Sequence, residues 1–275
     1  GDNDTYPLWY LQDIEKVRTD VTVINLSLLN VSWYVKQLRD SQMEPFNLFS
    51  MSDDKIDKIS SSLQRWEEKK IRVPVKNDPK NEKGFIEWEL KPTYQGEALR
   101  VQDMMVLYAI NESLDNRPIY FSTTVSENNR LDLDQLLSIE GLVFKISTHK
   151  TEKYNIKKIN DNLLEKYTYE STKNVDYLDM ESSLRLYKNY LAPFLILIRN
   201  HLINWKKDRT NMDFNSNNYR TLKNTYDKLN INLPESVVPR TKNMKLFLDG
   251  VSEDLTRKHT RIPMLMNNYE MKGFV

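Results

Sequence analysis

Apolar residues at Leu8, Leu11, Ile14 and Val17 recur every three positions, the spacing that lines one face of a helix. Pro7 follows a polar opening and suits a first turn, so this helix is predicted to begin there. Val21-Thr-Val-Ile-Asn-Leu26 is rich in β-branched residues and predicts a buried strand. A short helix is predicted over Ser32 to Leu38, and Ser52-Asp-Asp suits the cap of another running to about Trp66. Ile71 to Val75 and Phe85 to Leu90 predict strands, the second with Ile86, Trp88 and Leu90 alternating against Glu87 and Glu89. Val101 to Leu114 predicts a strong helix, Pro118 to Thr123 a strand, Leu131 to Ile139 a helix, and Gly141 to Thr148 a closing strand. Strand–helix–strand alternation of this kind predicts an α/β fold, with a mixed or mostly parallel sheet and flanking helices.

The pattern then changes. Met180 to Lys207 carries Leu184, Tyr187, Leu191, Phe194, Ile198 and Leu202 on one side of a long helix, which Pro193 should kink. Tyr219 to Leu229 and Met244 to Lys258 predict further helices, separated by the connection holding Pro234 and Pro239. The pattern predicts an all-α helical tail, with helical hairpins of solenoid type as one arrangement, although no internal repeat is evident.

Charge divides the chain at the same place. Through His149 there are 18 basic and 24 acidic residues (net −6), and from Lys150 onward 22 and 15 (net +7), together the overall +1. The expected organisation is an α/β domain over 1–149, a linker over 150–174 and a helical domain over 175–275. A near-zero net charge argues against general nucleic-acid binding. The mean hydropathy of −0.65 and the short apolar runs leave no stretch able to cross a bilayer. Beginning at Gly1 rather than Met, the chain is expected to be a piece of a longer protein whose signal or anchor would lie outside it.

Cysteine is absent, which excludes disulfides, thiolate metal sites and thiol catalysis. His149, His201 and His259 are far apart and in no metal-ligand spacing. The sequence holds no GxSxG, GxxxxGK[ST], GxGxxG or kinase signature. The local feature with most chemistry is the acidic opening, Gly1-Asp-Asn-Asp-Thr5. Asp2, Asn3 and Asp4 feed a helix start, where ligands of open α/β sheets bind. They suit sugar hydroxyls or, as the one cofactor that residue chemistry suggests, a divalent cation. The bland alternative is helix capping by Asp4 or Thr5, with Asp2 a turn residue. Arg117, just before the strand Pro118 to Thr123, is the second candidate, with a structural ion pair as its alternative. Glu140-Gly141 reads as turn chemistry. Trp205-Lys-Lys-Asp-Arg209 suits a membrane surface or, more simply, compensation of a helix dipole.

Gly1-Asp-Asn-Asp-Thr-Tyr-Pro-Leu-Trp-Tyr-Leu-Gln12, Val17-Arg-Thr-Asp-Val21, Asn25-Leu-Ser-Leu-Leu29 and Trp33-Tyr34 occur in that order. Together they resemble the segment after the last membrane helices of polytopic bacterial glycosyltransferases. Arg117-Pro-Ile-Tyr-Phe121 and Leu136-Leu-Ser-Ile-Glu-Gly-Leu142 extend this likeness over about residues 1–148. The family has the C-type membrane fold, is similar to protein O-mannosyltransferases and is common in Bacteroidetes-like bacteria. The resemblance implies a membrane enzyme that moves a sugar from a lipid-linked donor to a protein hydroxyl, with its catalytic carboxylate on a loop outside this chain. It implies a chain on the extracytoplasmic (periplasmic) side of the cytoplasmic membrane that is inactive alone, needs no cofactor of its own and is tied to the membrane by preceding sequence. Asp2, Asn3, Asp4 and Arg117 would face the embedded site. It also implies an apolar strand before the acidic opening, without which a sheet edge would be left open. Two other functions fit the residues: a non-catalytic protein-binding or membrane-surface assembly module, and a free sugar-active enzyme using Asp2 and Asp4 as paired carboxylates.

Overall fold

The alternation over Phe85 to Leu90 produces the strand it predicts. Ile86, Trp88 and Leu90 are buried, while Glu87 and Glu89 turn outward. A computed structural model describes residues 1–41, 48–170, 182–207 and 216–256. They divide into two compact units, one of residues 1–139 and 143–153, the other of 140–142 and 154 onward.

The first unit contains α1 (Asp2–Asp13), α2 (Ser32–Asp40), α3 (Asp53–Ser60), β1 (Gln64–Arg65), β2 (Lys69–Pro74), β3 (Phe85–Leu90), β4 (Ala98–Leu99), α4 (Val101–Ser113), β5 (Tyr120–Ser122), β6 (Leu137–Ile139) and β7 (Val143–Ile146). The mixed α/β character is as the sequence predicts, but every described strand pair is antiparallel. β2 and β3 form one ladder with Ile71 opposite Trp88, β1 pairs with β4, and β5, β7 and β6 form a three-stranded sheet in that order. The parallel expectation fails because α4 does not return the chain to the strand before it. β4 and β5 flank α4 yet lie in different sheets. β6 and β7 are joined through only Glu140–Leu142, a length that suits an antiparallel pair.

Three local expectations also change. α3 is capped by Ser52, whose hydroxyl accepts from Lys55 N at 3.4 Å, but it stops at Ser60. The chain beyond it extends to pair with β4, and Trp66 N–H donates to Glu97 O at 2.8 Å. Leu131 to Ile139 is a short 3-10 turn followed by β6 rather than a helix. Leu131 and Asp132 take left-handed φ values of 57° and 55°, which break the helical path. Val21 to Leu26 forms no strand, for reasons that lie in α1.

The second unit contains α5 (Ile156–Asn160), a π-turn (Asp161–Lys166), α6 (Ser182–Lys207), α7 (Asn217–Asn232) and α8 (Lys242–Thr256). α5 and the π-turn occupy part of the segment expected to link domains. The helical tail follows the sequence pattern: Leu191, Phe194, Ile198, Leu202 and Trp205 are buried along α6, and Leu222 and Leu229 along α7. Pro193 lies inside α6 rather than ending it. Lys206 on α6 pairs with Asp254 on α8 at 2.7 Å. Met180, the part of the last predicted helix beyond Thr256, Asp208, Arg209 and His259 lie outside the described residues. Glu140-Gly141 is a turn, as its residue types predict. Gly141 has φ 108°, and a Cβ there would lie 2.6 Å from the Tyr167 hydroxyl, so only glycine fits without rearrangement. Among the described residues no helix is long and apolar enough to cross a membrane.

Candidate functional site

α1 begins at Asp2, five residues before the predicted start. Asp2 and Asp4 therefore stand in its first turn, where carboxylates complement the helix dipole, rather than in a loop ahead of it. Pro7 lies within the helix and removes the N–H that would otherwise bond Asn3 O. The face of α1 that meets the protein is also the reverse of the predicted one. Leu8 is 45% exposed, Leu11 41% and Ile14 64%, whereas Thr5 is 4% exposed.

What holds α1 is a stripe of polar and aromatic side chains. Asp2 Oδ1 accepts from Asn25 Nδ2 at 3.1 Å, and Asp4 Oδ2 accepts from Thr124 Oγ1 at 3.1 Å. Trp9 Nε1 donates to Val23 O at 3.1 Å, and Gln12 Nε2 donates to Arg18 O at 2.9 Å and Val21 O at 2.7 Å. These bonds explain the missing strand. Carbonyls of Val21 and Val23 that a ladder would use are taken by α1 side chains, and Asn25 N–H donates to Tyr34 Oη at 3.0 Å. Asn25, 1% exposed, is the hub, since its Oδ1 also accepts from Ser27 N at 3.0 Å and Leu28 N at 3.3 Å. Burial pushes the Tyr34 hydroxyl above its ordinary value.

Arg117 stands at the other end of β5. Its Nη2 donates to Asp20 O at 2.8 Å, while Thr124, the partner of Asp4, follows the strand. Asp20 also forms a bidentate pair with Arg18 at 2.8 Å on both arms, and that bond holds its carboxyl below the usual range. The structure thus gathers Asp2 and Asp4 at one end of α1 around Asn25 and Thr124. It sets Arg117 against the loop that leaves the other end. Asn3 is exposed beside them. Among the described residues no three His, Asp or Glu side chains converge as a metal-holding group. Asn25 and Thr124 were not singled out from sequence, because a buried Asn and a loop Thr carry no periodic signal.

A second polar cluster closes the β2–β3 connection. Asp78 Oδ2 accepts from Thr148 Oγ1 at 2.5 Å and bonds His149 Nδ1 at 2.7 Å, and its Oδ1 accepts from Lys80 N at 3.0 Å. The Thr148 hydroxyl first, then His149 and Lys80 N–H, bring the Asp78 carboxyl down to about 2. The folded value lies below the unfolded one, so this contribution is complete above pH 3.8 and fades as pH falls towards about 2. Asp78→Asn is expected to flatten the stability loss over that window in urea titrations. An unchanged acid slope would reject the assignment.

Residues 1–58 and 67–164 match the family model of TMEM260-associated domain 2. The chain belongs to that family. No curated protein and no solved structure shows a significant match. The TMEM260-associated domain match takes in Asp2, Asn3, Asp4, Asn25 and Arg117, runs through α5 and stops inside the π-turn, before α6, α7 and α8. It ties the chain to a glycosyltransferase-related membrane protein, the coarser part of what the resemblance implies.

Proposed function

We propose that this chain is the extracytoplasmic, periplasmic-side domain of a membrane-embedded bacterial glycosyltransferase of the protein O-mannosyltransferase type. In this reading it helps hold the protein acceptor or the lipid-linked sugar donor beside an active site carried elsewhere in the enzyme. The observation that carries the reading is membership of the TMEM260-associated domain 2 family over residues 1–58 and 67–164. The exposed side of α1 supports it. Tyr6, Leu8, Tyr10, Leu11 and Ile14 stand in solvent while the polar stripe anchors the helix, an arrangement that keeps an apolar and aromatic face for something outside the unit. Asp2 and Asn3 border that face at the start of the helix and offer acceptors and an amide for sugar or peptide hydroxyls.

The second reading, a non-catalytic protein-binding or membrane-surface module, draws on the same exposed face. The two separate in the full-length enzyme carrying Leu8→Ser, Leu11→Ser and Ile14→Ser together. These side chains are exposed, so the unfolding free energy should stay within about 0.5 kcal/mol per site. Sugar transfer is expected to fall about tenfold, equivalent to ~1.4 kcal/mol. Unchanged transfer by a folded, membrane-inserted triple variant would contradict a role of this face in catalysis and leave the binding-module reading.

A further inference from the structure

α6 carries a titratable ring inside its apolar stripe. His201 follows Leu197 and Ile198 by one helical turn and precedes Trp205 by another, and all three of these neighbours are buried. The imidazole therefore stands on the core side of the helix. Its Nε2 is closed off from solvent and has no hydrogen-bond partner. One turn further on, α6 joins the other two long helices. The Trp205 and Tyr219 rings lie 5.4 Å apart, and Tyr219 Oη donates to Leu255 O on α8 at 3.1 Å. The Lys206–Asp254 pair closes the same junction. All of these residues belong to the second unit.

Such a site holds the neutral ring far better than the cation. A neutral imidazole forgoes one hydrogen bond there, whereas an imidazolium would add a charge with no acceptor and little water around it. Around it α6 carries Arg199 and Lys206, α7 carries Arg220, Lys223, Asp227 and Lys228, α8 carries Asp249, Glu253 and Asp254, and α5 carries Lys157 and Lys158. Lys206 is matched by Asp254 and Lys223 by Asp227. Among the described residues no charged group acts on the ring, and burial alone pushes its proton affinity below the ordinary 6.5.

We propose that His201 is an acid-sensitive trigger in the helical unit: a proton on its enclosed imidazole loosens α6 from α7 and α8. The unfolded ring takes up a proton more readily than the folded one. Its contribution to stability is therefore complete above pH 6.5 and is lost as pH falls below that value. The inference rests on the second unit alone and is independent of the proposed enzyme function.

Two measurements on the whole chain test it. The His201 imidazole resonance, assigned by its disappearance in a variant, should titrate with a midpoint below 6.5. Amide exchange protection over the end of α6 and at Tyr219, corrected for the intrinsic rate, should fall about fivefold between about pH 7.5 and about pH 5. His201→Leu and His201→Gln do not titrate in this range and should abolish that fall. A midpoint at or above 6.5, protection that does not change with pH, or the same fall in a folded variant would each overturn the proposal. The wild-type midpoint decides the matter even if neither variant folds.

Discussion

Trp88→Ala is expected to destabilise the first unit by about 3–5 kcal/mol, enough to unfold much of it under mild denaturant. Trp88 is buried on β3 opposite Ile71, and its Nε1–H donates to Leu131 O at 2.9 Å. That carbonyl belongs to the pair of residues with left-handed φ values, Leu131 and Asp132, and Asp132 Oδ2 accepts from Lys91 N at 2.9 Å. Each such conformation in a non-glycine residue costs about 1–3 kcal/mol and persists only where neighbours hold it. Trp88 therefore does two things, filling the core and fixing the turn that sends the chain into β6. Trp88→Phe isolates the second, since it keeps most of the packing and loses the hydrogen bond. A loss of about 1–2 kcal/mol is expected for it. Urea unfolding of both variants measures the difference, and a Trp88→Phe variant as stable as the wild type would show that the indole N–H contributes nothing.

Asn25→Ala is expected to cost about 2–3 kcal/mol, because it strips acceptors from Ser27 N and Leu28 N and the donor from Asp2. The consequence is specific: α1 loses its attachment at Asp2 and should become the first site of limited proteolysis. Asn25→Asp sharpens the test. The new carboxylate still accepts from Ser27 and Leu28 but faces Asp2 across 3.1 Å with like charge. Its cost should shrink when Asp2→Asn is added, giving a coupling of about 0.5–2 kcal/mol in a double-mutant cycle. Strict additivity would mean that the Asn25–Asp2 contact does not hold the helix.

The elements legible in the sequence were those whose partners are apolar and periodic. β3 followed from the alternation of Ile86, Trp88 and Leu90, α4 from Val101, Met104, Met105 and Tyr108, and α6 from Leu191, Phe194, Ile198 and Leu202. Pattern failed where polar side chains decide the outcome. Val21 to Leu26 has strand composition, yet Trp9, Gln12 and Tyr34 occupy its backbone groups before any strand can. The same bonds reverse α1: Leu8, Leu11 and Ile14 have the spacing of a core face, but Asp4, Thr5, Trp9 and Gln12 take the inward side. Hydrophobic periodicity records which residues share a face and not which way that face points. The acidic opening was visible as a chemical feature, whereas its partners Asn25 and Thr124 are distant in the chain and fixed only by the fold.

The most direct measurement is sugar transfer from polyprenyl-phosphate-linked donors to serine- and threonine-containing peptides by membranes holding the full-length protein. Asp2→Asn with Asp4→Asn is the paired variant, because each amide keeps an oxygen to accept from Asn25 or Thr124 while the charge is removed. The account predicts transfer by the wild-type protein and a loss of about tenfold or more in the folded double variant. A wild-type protein that is folded and inserted yet transfers no sugar from any such donor would contradict it.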